Sequence, residues 1–231
     1  IEAEISVREG AKHLILSDKG VNEKNASIPM VLAIGAINSK LSDLGIRGFT
    51  SINVQTSEAL DTHSFAVLLG VGATTINPYI AFDSIYQRYE KKLFGKITFE
   101  ECIKRYVKSV DNGLLKIMSK MGISVLSSYR GGCNFEAVGL SRSVVAEYFP
   151  GMTSRISGIG IAGIEKKLKE LHKNAFQKNV SILPIGGLYK YRKNGELHQY
   201  QAQLIHILQN AVEKNSYESY KKYAEGIYSL P

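Results

Sequence analysis

Three short runs, HLILS at residues 13–17, SINVQ at residues 51–55 and TTIN at residues 74–77, are typical of β-strands and are separated by longer helical patterns. Apolar residues at helical spacing predict the intervening helices at Met30–Leu44, Glu58–Leu69 and Tyr79–Lys92. Strands and helices that alternate in this way form parallel sheets with right-handed crossovers. The sequence therefore predicts an α/β fold in which the three strands are neighbours in one parallel sheet.

A parallel sheet normally has both faces covered, and three βα units are too few to cover them alone. No strand pattern precedes His13. We therefore expect the chain to begin inside a domain, as an incomplete barrel-like or layered unit. A domain boundary is expected near Leu93–Thr98, where Gly95 interrupts the helical pattern and the charge balance changes sign. This assigns residues 1–95 to one domain and residues 96–231 to a second.

The second domain is predicted to be mainly helical. A long helix is expected from Thr98 to Met121, with a bend or a break into two helices at Gly113. A short strand at Ile123–Leu126 is predicted to lead into a polar loop over residues 127–134. A further segment is predicted to begin at Leu183–Gly187 and to contain an exposed turn at residues 193–195. The remaining predictions are helices at Ser141–Tyr148, Ile164–Phe176, Gln201–Val212 and Tyr217–Ala224.

Composition and charge narrow the class of protein. The 231 residues are 44% hydrophobic and 22% charged, values typical of globular proteins, and no apolar run is long enough to cross a membrane. Residues 1–8 resemble neither a signal nor a transit peptide, so a cytoplasmic location is expected. Residues 1–90 carry 7 Lys/Arg and 10 Asp/Glu, whereas residues 91–231 carry 22 and 11. The basic half leaves open a free-standing module that binds anions or nucleic acid, although lysines spread along helices usually form a solvated face.

The two cysteines, Cys102 and Cys133, are far apart in the sequence and form no CxxC motif. This spacing indicates neither a disulfide framework nor a zinc site, and buried thiols are the expected role. An iron–sulfur cluster needs about three or four thiolate ligands, more than this chain supplies. The histidines show no metal-binding spacing either.

The polar loop contains the best candidate binding residues. Glycines there would let backbone amides converge, and Arg130 with the hydroxyls of Ser127 and Ser128 would hold a phosphate or a carboxylate. The candidate roles are anion binding and an inter-domain contact, and we favour the contact. Three other patterns are given structural roles: a tight glycine turn for the GxGxxG match at residues 158–163, hydrogen-bonded packing for His63 beside Asp61 and Ser64, and loop anchoring for Glu196 and His198.

Several ordered motifs resemble one known family. In the first half these are LILSD at residues 14–18, THSFA at residues 62–66, LGVGA at residues 69–73 and INPYIAF at residues 76–82. In the second half they are GLLKIMSKMGIS at residues 113–124, SYRG at residues 128–131, FEAVGL at residues 135–140 and SRISG at residues 154–158. This succession resembles the large subunit of glutamate synthase, from the end of its central domain into the start of its FMN-binding synthase domain.

The resemblance implies an enzyme that makes L-glutamate from 2-oxoglutarate and glutamine-derived ammonia by an FMN-dependent reduction. It also implies an amino-terminal cysteine nucleophile, FMN and a three-iron cluster in the full enzyme, with a small subunit or ferredoxin as partner. This chain begins with Ile1 and, by the resemblance, stops before the first loop that contacts FMN. We therefore expect it to contain no catalytic residue and no cofactor site, and to be inactive when isolated.

Overall fold

A computed structural model of the chain describes residues 1–177 and 185–230. These residues form two compact units, Ile1–Phe176 and a second unit that begins at Gln177. The elements in chain order are α1 (Glu2–Arg8), β1 (His13–Ser17), α2 (Met30–Asp43), β2 (Ser51–Gln55), α3 (Thr62–Gly70), β3 (Thr75–Asn77), α4 (Tyr79–Glu90), α5 (Phe99–Lys120), α6 (Leu126–Tyr129), α7 (Arg142–Tyr148), α8 (Ile161–Ala175), α9 (Ala202–Glu213) and α10 (Tyr217–Tyr228). A 3-10 turn at Arg47–Phe49 precedes β2.

The three strands form one parallel sheet in the order β1-β2-β3. His13 pairs with Ser51, and Asn53 pairs with Thr75, so the register runs without a break across the sheet. The α/β fold, the three strand positions and their parallel neighbours are therefore confirmed. The helical second half is confirmed in its main elements as well.

The two faces of the sheet differ in burial. Leu14, Ile52 and Val54 point towards the helices and are buried, because side chains alternate between faces along a strand. On the opposite face Ile15 is 72% exposed, and hydroxyl and amide groups bond across the strands, as between Thr75 Oγ1 and Asn53 Oδ1 at 2.7 Å. Helices therefore cover only one face of β1, although its apolar run LIL at residues 14–16 is also compatible with a strand buried on both faces.

The main core lies between the sheet and helices α2, α3, α5 and α7. Ile34 and Ile52 are fully buried there, and Phe149 at the end of α7 packs against α2. A Cβ at Gly35 would overlap the Phe149 ring, so the absence of a side chain lets the two elements approach closely. This core fixes the sheet and its crossover helices as one body.

Helix α5 is continuous from Phe99 to Lys120, with Thr98 capping its first turn, so the predicted break into two helices at Gly113 is wrong, and the predicted bend stays a prediction. Gly113 instead sits where α5 meets the start of α3, and a Cβ there would lie 2.5 Å from Thr62 Cγ2. The glycine is thus explained by close helix packing rather than by a weak point in the helix.

Two further element predictions are wrong. Helix α3 begins at Thr62 rather than Glu58, because the Asp61 carboxylate accepts a bond from the Ser64 amide and caps the helix there. Residues 123–126 form no strand, because the Ile123 amide bonds back to the Met118 carbonyl and closes the end of α5. Leu126–Tyr129 then forms the single turn α6.

The second unit is a pair of helices, α9 and α10, preceded by a turn. Leu204 and Ala211 are buried, and Leu204 lies against Gly226 of α10. The predicted turn at residues 193–195 is present, with the Gly195 amide bonded to the Arg192 carbonyl. Residues 183 and 184, at the predicted start of the segment that contains this turn, lie outside the described residues.

Candidate functional site

The residues predicted as a binding loop lie on and after α6. The Tyr129 side chain is 1% exposed, and its hydroxyl donates to the Ala66 carbonyl of α3 at 2.9 Å. Ser127, Ser128 and Arg130 all have exposed side chains. The buried ring therefore anchors the turn to α3, while the three predicted site residues face outward.

The backbone amides that follow α6 are already engaged. The Arg130 amide bonds to the Leu126 carbonyl at 2.9 Å, and the Gly131 and Cys133 amides bond to the carbonyls of Leu69 and Gly70 at 3.0 and 3.1 Å. These bonds fasten the loop to the end of α3. The predicted convergence of free amides on a ligand is therefore absent from this loop, and its outward chemistry comes from side chains.

Arg47 lies next to this loop, a neighbour that the sequence pattern did not indicate. Its guanidinium donates to Asn38 Oδ1 at 2.7 Å, to the Thr50 carbonyl at 2.7 Å and to the Gly72 carbonyl at 2.8 Å. Burial lowers the pKa of Arg47, and the nearby positive charge of Arg130 lowers it further. Two guanidinium groups from distant parts of the sequence thus lie within electrostatic reach of each other.

A second polar cluster lies at the carboxyl ends of the three strands. Asp18 follows β1 and is 4% exposed. One carboxylate oxygen accepts bonds from the Thr56 hydroxyl at 2.8 Å and from the Ser57 amide and hydroxyl at 2.8 and 2.9 Å. The other accepts from the Tyr79 hydroxyl at 2.9 Å. One side chain therefore ties together the segments that follow all three strands.

The pKa values in this cluster follow from burial and hydrogen bonding. Burial raises the pKa of Asp18, but the bonds from Ser57, Thr56 and Tyr79 outweigh it and hold the pKa below its ordinary value. Glu58 shows the opposite balance, because its burial raises the pKa more than the bond from the Met30 amide lowers it. Asp18 is thus held as an anion whose acceptor sites are occupied, which suits a structural role.

An apolar cavity of about 500 Å³ lies in the first unit. Its walls come from the helices, with Leu32, Val67, Val144 and Ile164 among them. His63 lines it as well, and this side chain is exposed. The prediction of a packed, hydrogen-bonded His63 is therefore wrong.

Asp61 and Ser64, which could form a catalytic triad with His63, instead bond to each other at the start of α3. Asp61 accepts from the Ser64 amide at 2.9 Å and from its hydroxyl at 2.7 Å, which is a capping arrangement. Among the residues that the structure describes, no group of three or more His, Cys, Asp or Glu side chains is arranged to hold a metal ion. Cys102 is a buried free thiol, and Cys133 is a half-buried one.

The other motifs have structural explanations. A Cβ at Gly158 would overlap the Gly139 backbone, beside the parallel bridge between Leu140 and Ile159. Gly160 then caps α8, so the GxGxxG match marks a close crossing of two chain segments. In the second unit, His198 bonds to the Gly187 carbonyl and the Glu196 amide bonds to the Gly186 carbonyl, which confirms their role as loop anchors.

Across residues 1–177 and 185–230, none of the helices is long and apolar enough to span a bilayer.

Comparisons with known proteins agree with one another. The family model described as "Glutamate synthase central domain" matches residues 1–141. The chain is 53% identical over 230 residues to the "Glutamate synthase [NADPH] large chain" of Azospirillum brasilense, a match that covers 100% of this chain and 15% of that protein. It is 40% identical to the large chain of the same name from Bacillus subtilis (strain 168), over 97% of this chain and 15% of that protein.

A third relative is named for a different electron donor. The "Ferredoxin-dependent glutamate synthase, chloroplastic" of Spinacia oleracea is 36% identical, over 99% of this chain and 15% of that protein. The chain thus spans about 15% of the length of these relatives. Because the family model covers more than half of the chain and the relatives cover nearly all of it, the chain belongs to the glutamate synthase central domain family.

Proposed function

We propose that this chain is a positioning segment of a glutamate synthase large chain. In this proposal the large chain makes L-glutamate from 2-oxoglutarate and glutamine-derived ammonia by an FMN-dependent reduction. The observation that carries the proposal is the 53% identity to a named large chain along 100% of this sequence. The Asp18 cluster supports a positioning role, because its hydrogen bonds hold strand ends together.

The cofactors of the full enzyme belong elsewhere in the large chain. The residues of this segment do not fit a three-iron cluster, which needs about three or four thiolates, because the only cysteines are Cys102 and Cys133. They offer no phosphate cradle for FMN in the loop after α6 either, since the amides of Arg130, Gly131 and Cys133 are bonded to carbonyls. The partners proposed for this segment are the other domains of the large chain. A small subunit or ferredoxin would be the partner of the whole enzyme.

The division between domains is part of the same proposal. Residues 1–95 are assigned to the central domain, and residues 96–231 to the connecting helices and the start of the FMN-binding domain. The family match runs to residue 141 and the first compact unit to Phe176, so the boundary near residue 95 stays a prediction. Ser127, Ser128 and Arg130 are proposed to contact another domain, which their outward orientation supports.

A chimera tests the proposed function. The segment of the Azospirillum brasilense large chain that aligns with this sequence would be replaced by this 231-residue chain. We expect the chimera to retain NADPH-dependent glutamate formation from glutamine and 2-oxoglutarate, because core positions and inter-domain contacts would be preserved. A control protein in which a Gly/Ser linker replaces the segment is expected to lose activity.

An activity assay of the isolated chain is the second part of this experiment. We expect it neither to hydrolyse glutamine nor to form glutamate, since the proposal places the reacting groups in other domains. Turnover by the isolated chain would contradict the positioning role. A folded, full-length chimera without activity would contradict the assignment to glutamate synthase.

A further inference from the structure

Arg47 and the loop that carries Arg130 share a pair of neighbours. Arg47 donates to Asn38 Oδ1 and to the Gly72 carbonyl. Gly131 lies against the same two residues, because a Cβ there would be 3.7 Å from Asn38 Nδ2 and 3.8 Å from Gly72 Cα. The loop that carries Arg130 is therefore packed directly beside the anchored side chain of Arg47.

Neutral groups hold Arg47 in place but do not balance its charge. Among the residues that the structure describes, its hydrogen-bond acceptors are one side-chain amide and two backbone carbonyls. Within the described ranges, none of the ion pairs at 4.0 Å or less includes Arg47 or Arg130. Like charges brought together in a partly buried site raise the free energy of the fold unless an anion compensates them.

We propose that Arg47 and Arg130 together bind a carboxylate carried by another segment of the glutamate synthase large chain. The proposal rests on the proposed function for the existence of that segment. Arg47 supplies a fixed positive charge in a half-buried setting, and Arg130 supplies an exposed guanidinium that can engage a carboxylate with two parallel hydrogen bonds.

The loop favours a protein-borne carboxylate over a free phosphate. Backbone amides that form an anion cradle are the usual partners of phosphate, and here the Arg130, Gly131 and Cys133 amides all bond to carbonyls. A side-chain carboxylate needs only the guanidinium forks. It also arrives at high effective concentration within one chain, so weak intrinsic affinity is sufficient.

The 231-residue chain can be tested with a free carboxylate as the probe. The Nε–Hε signals of the arginines would be followed by NMR during titration with sodium acetate, with sodium chloride keeping the ionic strength constant. We expect the Arg47 and Arg130 signals to shift together, with half-saturation at about 10–100 mM, as for a weak exposed charge pair. Arg88, an exposed arginine on α4, is the internal control and is expected not to shift.

Two variants separate the pair from general charge effects. Arg130→Gln should abolish the acetate-dependent shift of Arg47, because one of the two guanidinium groups is gone. Arg130→Lys keeps the charge and loses the planar fork, so we expect acetate binding at Arg47 to weaken by about threefold or more. An equal response in Arg130→Lys and in the unmodified chain would contradict the role of the fork.

Two further outcomes would overturn the proposal. If acetate moves neither arginine signal, the pair is no carboxylate site. If inorganic phosphate saturates the site below about 1 mM and raises the melting temperature, the occupant is a free anion. Both readouts are independent of enzyme activity, so an inactive chimera would reject the proposed function without deciding whether the pair binds acetate.

Discussion

The first unit contains two charged clusters, one around Asp18 and one formed by Arg47 and Arg130. They differ in how far the surrounding groups compensate their charge. The Asp18 carboxylate is 4% exposed and accepts four hydrogen bonds from three surrounding residues. The positive charge of Arg130 acts on Arg47, and within residues 1–177 and 185–230 the hydrogen-bond acceptors of Arg47 are all neutral. A cluster that satisfies itself holds the fold, whereas a cluster that leaves charge unbalanced is suited to recognition.

Removing the Asp18 carboxylate should have the largest effect on stability. Asp18→Ala leaves the Thr56, Ser57 and Tyr79 hydroxyls without their common acceptor, so we expect the free energy of unfolding to fall by about 2–4 kcal/mol. Urea denaturation measures the change. Asp111→Ala, at an exposed position of α5, is the matched control and should change it by no more than about 0.5 kcal/mol. Equal effects of the two substitutions would remove the contrast between the clusters.

Acid should lower the free energy of unfolding through protonation of Asp18. Since the folded-state pKa of Asp18 lies below its ordinary value of 3.8, its stabilising contribution is complete above that pH and is lost as the pH falls through the folded value. We expect a decline in unfolding free energy below about pH 4, and a smaller decline in Asp18→Asn. Glu58 works in the opposite direction, because its raised pKa lets the folded state take up a proton first. Identical acid profiles for Asp18→Asn and the unmodified chain would contradict this assignment.

The anchor of the arginine loop should have an intermediate effect. Tyr129→Phe deletes the buried hydrogen bond to the Ala66 carbonyl while keeping the ring, so we expect a loss of about 1 kcal/mol. Tyr86→Phe is the matched control, because the Tyr86 side chain is 51% exposed on α4. Denaturation curves that coincide for the two variants would show that the hydroxyl does not fasten the loop.

Arg130 itself should matter least to the stability of this chain. Its side chain is exposed, and its charge lies near that of Arg47, so Arg130→Gln should change the unfolding free energy by no more than about 0.5 kcal/mol. A loss above about 1 kcal/mol would mean that Arg130 already has a stabilising partner within the chain. That result would mean that the arginine pair, like the Asp18 cluster, stabilises the fold of this chain.

Local signals in the sequence predicted most of the elements. The structure confirms the helix starts at Thr98 and Ser141 and the helices predicted from the apolar spacing of α2 and α4, and each of these signals acts within a few residues. The errors have a common cause in long-range packing. Gly113 resembles a helix break in sequence but packs against Thr62, and Ile123–Leu126 resembles a strand although its first residue closes α5.

The candidate site also contains some residues that the sequence indicated and others that it did not. The sequence indicated Ser127, Ser128 and Arg130 because polar side chains and glycines cluster there, and the role of these residues stays a prediction. It did not indicate Arg47, which is 83 positions before Arg130 and has no motif around it. Nor did it indicate that Asp18, Thr56, Ser57 and Tyr79 would meet, although each follows a predicted parallel strand and such ends share one edge of a sheet.

Sequence alone determined the α/β class, the three parallel strands of the first unit and the family resemblance, because each depends on periodicity or on ordered motifs along the chain. Tertiary structure alone decided which groups are satisfied and which are not. Hydrogen bonds occupied the loop amides and surrounded Asp18 with donors, and packing placed Arg47 beside the loop that carries Arg130. These outcomes depend on distances between residues far apart in the chain, and such distances are set only when the core packs.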